Sequence, residues 1–100
     1  MLYFNGCPSW QDGLKNRKTA LKAEGLKAQV RLVKVRKDKD AERLKFLGSP
    51  SYRVNGVDWW PEERQQYNLN CRVYHTPDGM KGAPTVDMLR ELLRISREED

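Results

Sequence analysis

Cysteine is almost absent from this chain, with two among 100 residues, Cys7 and Cys71. They are too few and too far apart for a disulfide scaffold or for the closely spaced pairs of a structural zinc site. Histidine occurs once, at His75, so a Cys-His catalytic pair would have to join it to Cys7 or Cys71. Two sulfurs and one imidazole without close spacing do not make a metal centre, and neither a metal nor a cofactor is expected. No apolar run approaches the roughly 18 residues of a membrane span. No basic leader precedes Met1-Leu2-Tyr3-Phe4, so a cytoplasmic protein without a membrane partner is expected. In that reducing setting the two cysteines are thiols at rest, serving either as packing residues or as reactive groups. Apolar bulk is modest as well: 11 Leu, 7 Val, one Ile and two Phe. Three Trp and four Tyr add enough for one core, so residues 1–100 read as a single domain.

What is abundant is positive charge. Lysine and arginine number 19 against 14 acidic residues, a net +5, and residues 1–50 carry 12 of the basic and only 5 of the acidic groups. The run from Lys15 through Lys22, Lys27, Arg31 and Lys34 to Lys39 is dense enough to bind phosphate non-specifically. No recognised nucleic-acid motif accompanies it, and Asp38, Asp40 and Glu42 interrupt it. A solvated face, or one that attracts an acidic partner, is the preferred reading over nucleic acid.

The apolar spacing gives a coarse map. Residues 2–4 read as a short buried strand ended by Asn5-Gly6, and Trp10, Leu14 and Leu21 predict a helix that stops at Gly25. Residues 29–35 are β-branched, with apolar side chains on both faces, as in a strand with helices near each face. Asp38 or Asp40 is expected to cap a helix over residues 41–47, with Gly48 as its stop. Tyr52-Arg53-Val54, Asn55-Gly56 and Val57-Asp58-Trp59 form the clearest signal, a β-hairpin on a two-residue turn. Residues 60–80 read as an irregular insertion, with an extended stretch at 71–74 and a turn at Thr76-Pro77-Asp78-Gly79. A last helix is expected over residues 84–97. The order β-α-β-α-β-β-α implies an α/β fold with a four-stranded mixed sheet and helices on both faces.

That order, with Cys7-Pro8-Ser9-Trp10 between the first strand and first helix and Ser49-Pro50 entering the third strand, resembles the thioredoxin superfamily. Residues 46–58 together with Cys71-Arg72-Val73-Tyr74 look like a group of small bacterial thioredoxin-like proteins whose first turn is Cys-Pro-x-Trp. The resemblance implies a thioredoxin-like fold and thiol–disulfide exchange at Cys7. It also implies a cis proline at Pro50 lying against that cysteine. Pro8, Trp10, Ser49 and Pro50 would position the substrate, a thiol or disulfide protein or small molecule. Trp10 stands where the family carries its second cysteine, so a dithiol function would need Cys71 as the resolving sulfur.

The residues also admit plainer readings. A thiol at a helix N-terminus gains thiolate character from free N–H groups and the helix dipole, yet free cysteine is commonly an inert buried residue. Cys71 is equally readable as a core residue of an extended stretch. Pro50 can simply stop the second helix, and Trp10 packs on the inner stripe of the first helix or shields Cys7, its spacing favouring the former. Trp59 and Trp60 are consecutive, so one of them is expected to face solvent and mark a binding surface or dimer contact. Two functions outside redox catalysis therefore stand beside it: a non-catalytic binding module with a protein or nucleic-acid partner, and capture of a soft metal or organomercurial by the two thiols. The oligomeric state is left open.

Overall fold

A computed structural model of the chain describes residues 1–27, 30–54 and 56–99, the last four of these by backbone alone. The elements run β1 (Leu2–Tyr3), α1 (Ser9–Ala23), β2 (Val33–Lys34), α2 (Asp38–Leu44), β3 (Arg53–Val54), β4 (Val57–Asp58), β5 (Tyr74–Thr76), β6 (Gly79–Lys81) and α3 (Val86–Glu99).

The α/β character and the chain order of the first six elements agree with the sequence, but the four-stranded mixed sheet does not form. Among the described residues β1 pairs with β2 in parallel, β3 with β4 and β5 with β6 antiparallel, giving three two-stranded sheets. What separates them is visible in the hydrogen bonds. Leu2 and Ser51 exchange backbone bonds of 2.8 and 2.9 Å as a single antiparallel bridge. At the next position where a rung would form, the Phe4 N–H goes to the side-chain Oγ of Ser49, at 2.9 Å, and not to its carbonyl. Pro50, between them, has no N–H to give. The Ser49 backbone instead pairs with the 70–72 segment, accepting from the Arg72 N–H and donating to the Asn70 carbonyl. A bridge replaces a ladder on either side of this turn.

Helix α1 begins one residue before the expected start and ends at Ala23, with Glu24 as its C-cap and Gly25 following at a φ of +67° that suits glycine. Helix α2 is shifted toward the N-terminus from the expected 41–47. Asp38 and Asp40 sit inside its first turn, not ahead of it, and Lys45 in the left-handed region ends it before Gly48. The Asp38 carboxylate accepts from the Leu69 N–H at 3.0 Å, so it ties the 60–70 segment to α2 and is not the cap. Seven residues are too few for an isolated helix to persist. Helix α2 is held by Ala41, buried with Leu2, Val35 and Phe46 in one core cluster.

The 53–58 hairpin is present as β3 and β4, with its Asn55 outside the described residues. Residues 29–35 supply only the two-residue β2, Gln29 likewise lying outside the described residues. The expected turn at 76–79 is the loop of a second hairpin that the sequence reading did not contain. Thr76 Oγ donates to the Gly79 carbonyl and accepts from the Asp78 N–H, and Gly79 carries a φ of +101°. The insertion is thus partly ordered.

A second core cluster gathers Ala20 and Leu21 of α1, Leu89 and Leu93 of α3, and Tyr52 and Tyr74. Helices α1 and α3 are joined at its rim by Glu24, which accepts from Arg90 at 2.8 Å and from Arg94 at 3.0 and 3.1 Å. Two guanidinium groups hold the Glu24 carboxyl well below the usual range, at about 2. A depressed carboxyl pKa contributes stability that is present above the unfolded value near about 4.3 and is lost as pH falls through the folded one. Thermal melts between pH 5 and pH 2 should therefore show a drop in Tm that Glu24→Gln removes. An unchanged slope in that variant would assign the acid sensitivity elsewhere.

Candidate functional site

Cys7 closes a tight turn after β1, its N–H reaching the Phe4 carbonyl at 3.1 Å. A Cβ at Gly6 would meet the Phe4 ring at 2.5 Å, so a larger residue there would have to displace that half-buried ring. Pro8 follows at the N-cap of α1 and contributes no side-chain cap, so the first turn of the helix is left with its N–H groups pointing toward the Cys7 end. Cys7 is 2% exposed. Pro8 is exposed, away from the buried sulfur.

Cys71 forms a disulfide with Cys7, with Cα atoms 5.7 Å apart across 64 residues of chain. That separation lies inside the range a disulfide permits without backbone movement. It is Ser49 that brings the two together. Its N–H and carbonyl bracket Cys71 through Asn70 and Arg72, its Oγ fixes Phe4 at the start of the Cys7 turn, and its carbonyl oxygen lies 3.7 Å from Cys7 Sγ. Ser49 is fully buried. The Ser49-Pro50 peptide is cis, and Pro50 is also fully buried.

Helix α1 approaches Pro50 at Gly13, where a Cβ would come within 3 Å of both Pro50 Cγ and Tyr52 Oη. Glycine inside a helix normally costs about 1 kcal/mol relative to alanine, so at an uncrowded site Gly13→Ala would stabilise. Here overpacking of about 1–3 kcal/mol exceeds that gain. Urea unfolding of Gly13→Ala should show a net loss, and a variant more stable than the parent would disprove the close approach.

Two residues that the sequence reading did not single out fasten the Cys71 side. Arg72 turns inward and its Nη1 meets both carboxylate oxygens of Asp58, at 3.0 and 3.1 Å, and Ser51 Oγ at 3.2 Å, while Nη2 reaches the Trp60 carbonyl. The side chains are 6% and 8% exposed, a buried ion pair with further hydrogen bonds around it. The signal for it was faint: in an extended Cys71–Tyr74 stretch Arg72 shares a face with Tyr74, which is a core residue. Removing one member of a buried pair strands the other charge at a cost of about 3–5 kcal/mol. Asp58→Asn should destabilise by that order in denaturant titration, and a loss below about 1 kcal/mol, the level of a surface pair, would contradict the burial.

The remaining sequence candidates fall into place around these contacts. Trp10 stacks on Tyr3 with centroids 4.3 Å apart, the packing role its spacing favoured. Trp59 and Trp60 are both half-buried, contrary to the expectation that one faces solvent. The strand ends at Asp58, whose carboxylate accepts from the Trp60 N–H at 2.8 Å and bends the chain, so strand alternation no longer governs the pair. Both rings then pack against Tyr52, and Trp60 against Tyr74 at 5.1 Å. Arg17 lies over the Tyr52 and Trp59 rings at 5.5 and 5.1 Å, buried, with Nε and Nη1 unpaired. His75 is exposed on β5, four residues along the chain from Cys71. Lys15 and Lys18 line one shallow depression with Trp10 and Leu14.

What these residues can do chemically is limited to the sulfur pair and the aromatic cleft next to it. The cleft, about 580 Å³, is lined by Trp59, Trp60, Val73, Tyr74, His75 and Met88 among others. Among the described residues no helix is long and apolar enough to cross a membrane. Comparison with protein-family models, with curated proteins and with solved structures finds no match for this chain, so the site stands on its own geometry.

Proposed function

We propose that this protein carries out reversible thiol–disulfide exchange at the Cys7–Cys71 pair. The observation that carries this reading is the meeting of the chain's two cysteines across 64 residues, at a Cα separation of 5.7 Å. Two sulfurs are what a dithiol cycle needs, one to hold a substrate in mixed disulfide and one to release it. Kinship with the thioredoxin superfamily is supported locally, by a cysteine ahead of a helix and a cis proline on the neighbouring segment. Trp10 in place of a second cysteine and the separate two-stranded sheets depart from that family. In a cytoplasmic setting the disulfide is a transient state of a working couple and not a structural staple. The substrate is then a thiol or disulfide, protein or small molecule.

Equilibration in glutathione buffers with intact-mass detection tests the reading. One two-electron transition is expected, with a midpoint in the window of about −180 to −300 mV occupied by exchange-active dithiols. Two freely alkylated thiols after mild oxidation would overturn it.

The aromatic cleft supports a second reading, a binding module that presents Trp60 and the exposed Val73 to a protein or nucleic-acid partner. Salt-dependent retention on a polyanion column would favour nucleic acid, and flow-through at low salt would remove it.

A further inference from the structure

We infer that Cys71, and not Cys7, is the sulfur at which substrates exchange, with Cys7 as the buried leaving and resolving thiol. This rests on the Cys7–Cys71 disulfide being a working couple, and it reverses the roles that the position of Cys7 ahead of α1 suggests.

A thiolate attacks a disulfide in line with the S–S bond, at the sulfur it can reach. Cys7 is 2% exposed, enclosed by its own turn and by Ser49. Cys71 is exposed. It belongs to an extended stretch in which Arg72 and Tyr74 are buried while Cys71, Val73 and His75 are exposed, so of the two bonded cysteines it is the one that borders solvent.

The chemistry of departure favours the same direction. When an external thiolate bonds to Cys71 Sγ, the Cys7–Cys71 bond breaks and its electron pair leaves with Cys7. That sulfur lies ahead of a 15-residue helix whose first N–H groups and dipole stabilise negative charge, and a better-stabilised leaving thiolate departs faster. Once protonated, the buried Cys7 thiol has the Ser49 carbonyl, 3.7 Å from its sulfur, as acceptor. The second thiol of a dithiol substrate then attacks the substrate sulfur of the mixed disulfide. A substrate disulfide forms, Cys71 is released as thiolate, and two electrons have passed from substrate to protein. In reverse, the Cys71 thiolate opens a substrate disulfide, and the Cys7 thiolate attacks Cys71 Sγ and expels the substrate thiolate.

Resolution requires Cys71 to stay close while carrying its adduct. The contacts that hold it are those of its neighbours: the Arg72 N–H on the Ser49 carbonyl, the Asn70 carbonyl on the Ser49 N–H, and the Arg72 side chain on Asp58. None of them involves either sulfur, so all survive reduction and adduct formation.

The test uses the reduced wild-type protein, treated with substoichiometric iodoacetamide and mapped by peptide mass. Cys71 should be labelled at least about tenfold faster than Cys7, as thiol reactivity follows access. Equal or reversed labelling overturns the assignment. Reduced Cys7→Ser should take up glutathione from glutathione disulfide as a stable adduct on Cys71, whereas reduced Cys71→Ser should react far more slowly. Equal rates in the two variants would also overturn it. If the oxidised wild type contains no Cys7–Cys71 disulfide, the exchange function itself fails; if it contains one and the labelling order is reversed, only the assignment of roles does.

Discussion

The hydrogen bonds of Ser49 are the constraint on which the site depends. Three stretches of chain distant in sequence meet there: the turn after β1, the cis Ser49-Pro50 segment, and the 70–72 segment beyond the hairpin. A serine is suited to this because it offers a side-chain oxygen to Phe4 while keeping both backbone groups for residues 70 and 72. Buried polar groups must be paired, and here the pairing of one residue sets the distance between two cysteines. The same choice of partners interrupts the sheet. A residue that gave its carbonyl to Phe4 would extend β1 into a third strand and would leave the 70–72 segment without its dock.

The buried Arg72–Asp58 pair does for the outer segment what the apolar cores do for the helices. Residues 60–70 contain no helix or strand, and such a segment has little apolar surface with which to fix itself. A guanidinium inserted beneath it, with a carboxylate, a hydroxyl and a carbonyl around it, supplies directional contacts in place of area. Arg17 presents the contrasting case of a buried cation over aromatic rings with no carboxylate, and burial lowers its pKa from the ordinary arginine value. The aromatic faces of Tyr52 and Trp59 are its compensation.

Much of this was legible in the residues. Local signals marked α1, the Asn-Gly hairpin and α3 because each rests on neighbours within a few positions: the Trp10, Leu14 and Leu21 stripe, a two-residue turn, and the helical spacing over residues 84–97. Cys7 and Cys71 were recognisable as the only thiols in the sequence, and Ser49-Pro50 as a feature the resemblance set beside Cys7. What could not be read was decided by groups far apart in sequence. Whether Ser49 offers Oγ or its carbonyl to Phe4 decides between one sheet and several, and no periodicity encodes that choice. Arg72 could not be singled out because its partner Asp58 lies 14 residues away. Which of the two cysteines is buried could not be read for a similar reason, since burial of Cys7 depends on residues brought in from position 49.

The disulfide also divides the chain topologically. Helix α1, β2, α2 and the β3–β4 hairpin all lie within the loop closed between residues 7 and 71, while β5, β6 and α3 lie outside it. Closing a loop of that length restricts an unfolded chain by about 4 kcal/mol in the chain-entropy model. The bond thus weighs on the denatured ensemble, and the oxidised chain is the more resistant to unfolding for that reason. The C-terminal helix is exempt from that loop, and it is tied to the looped part of the chain by the core it shares with α1 and by Glu24 at the rim of that core.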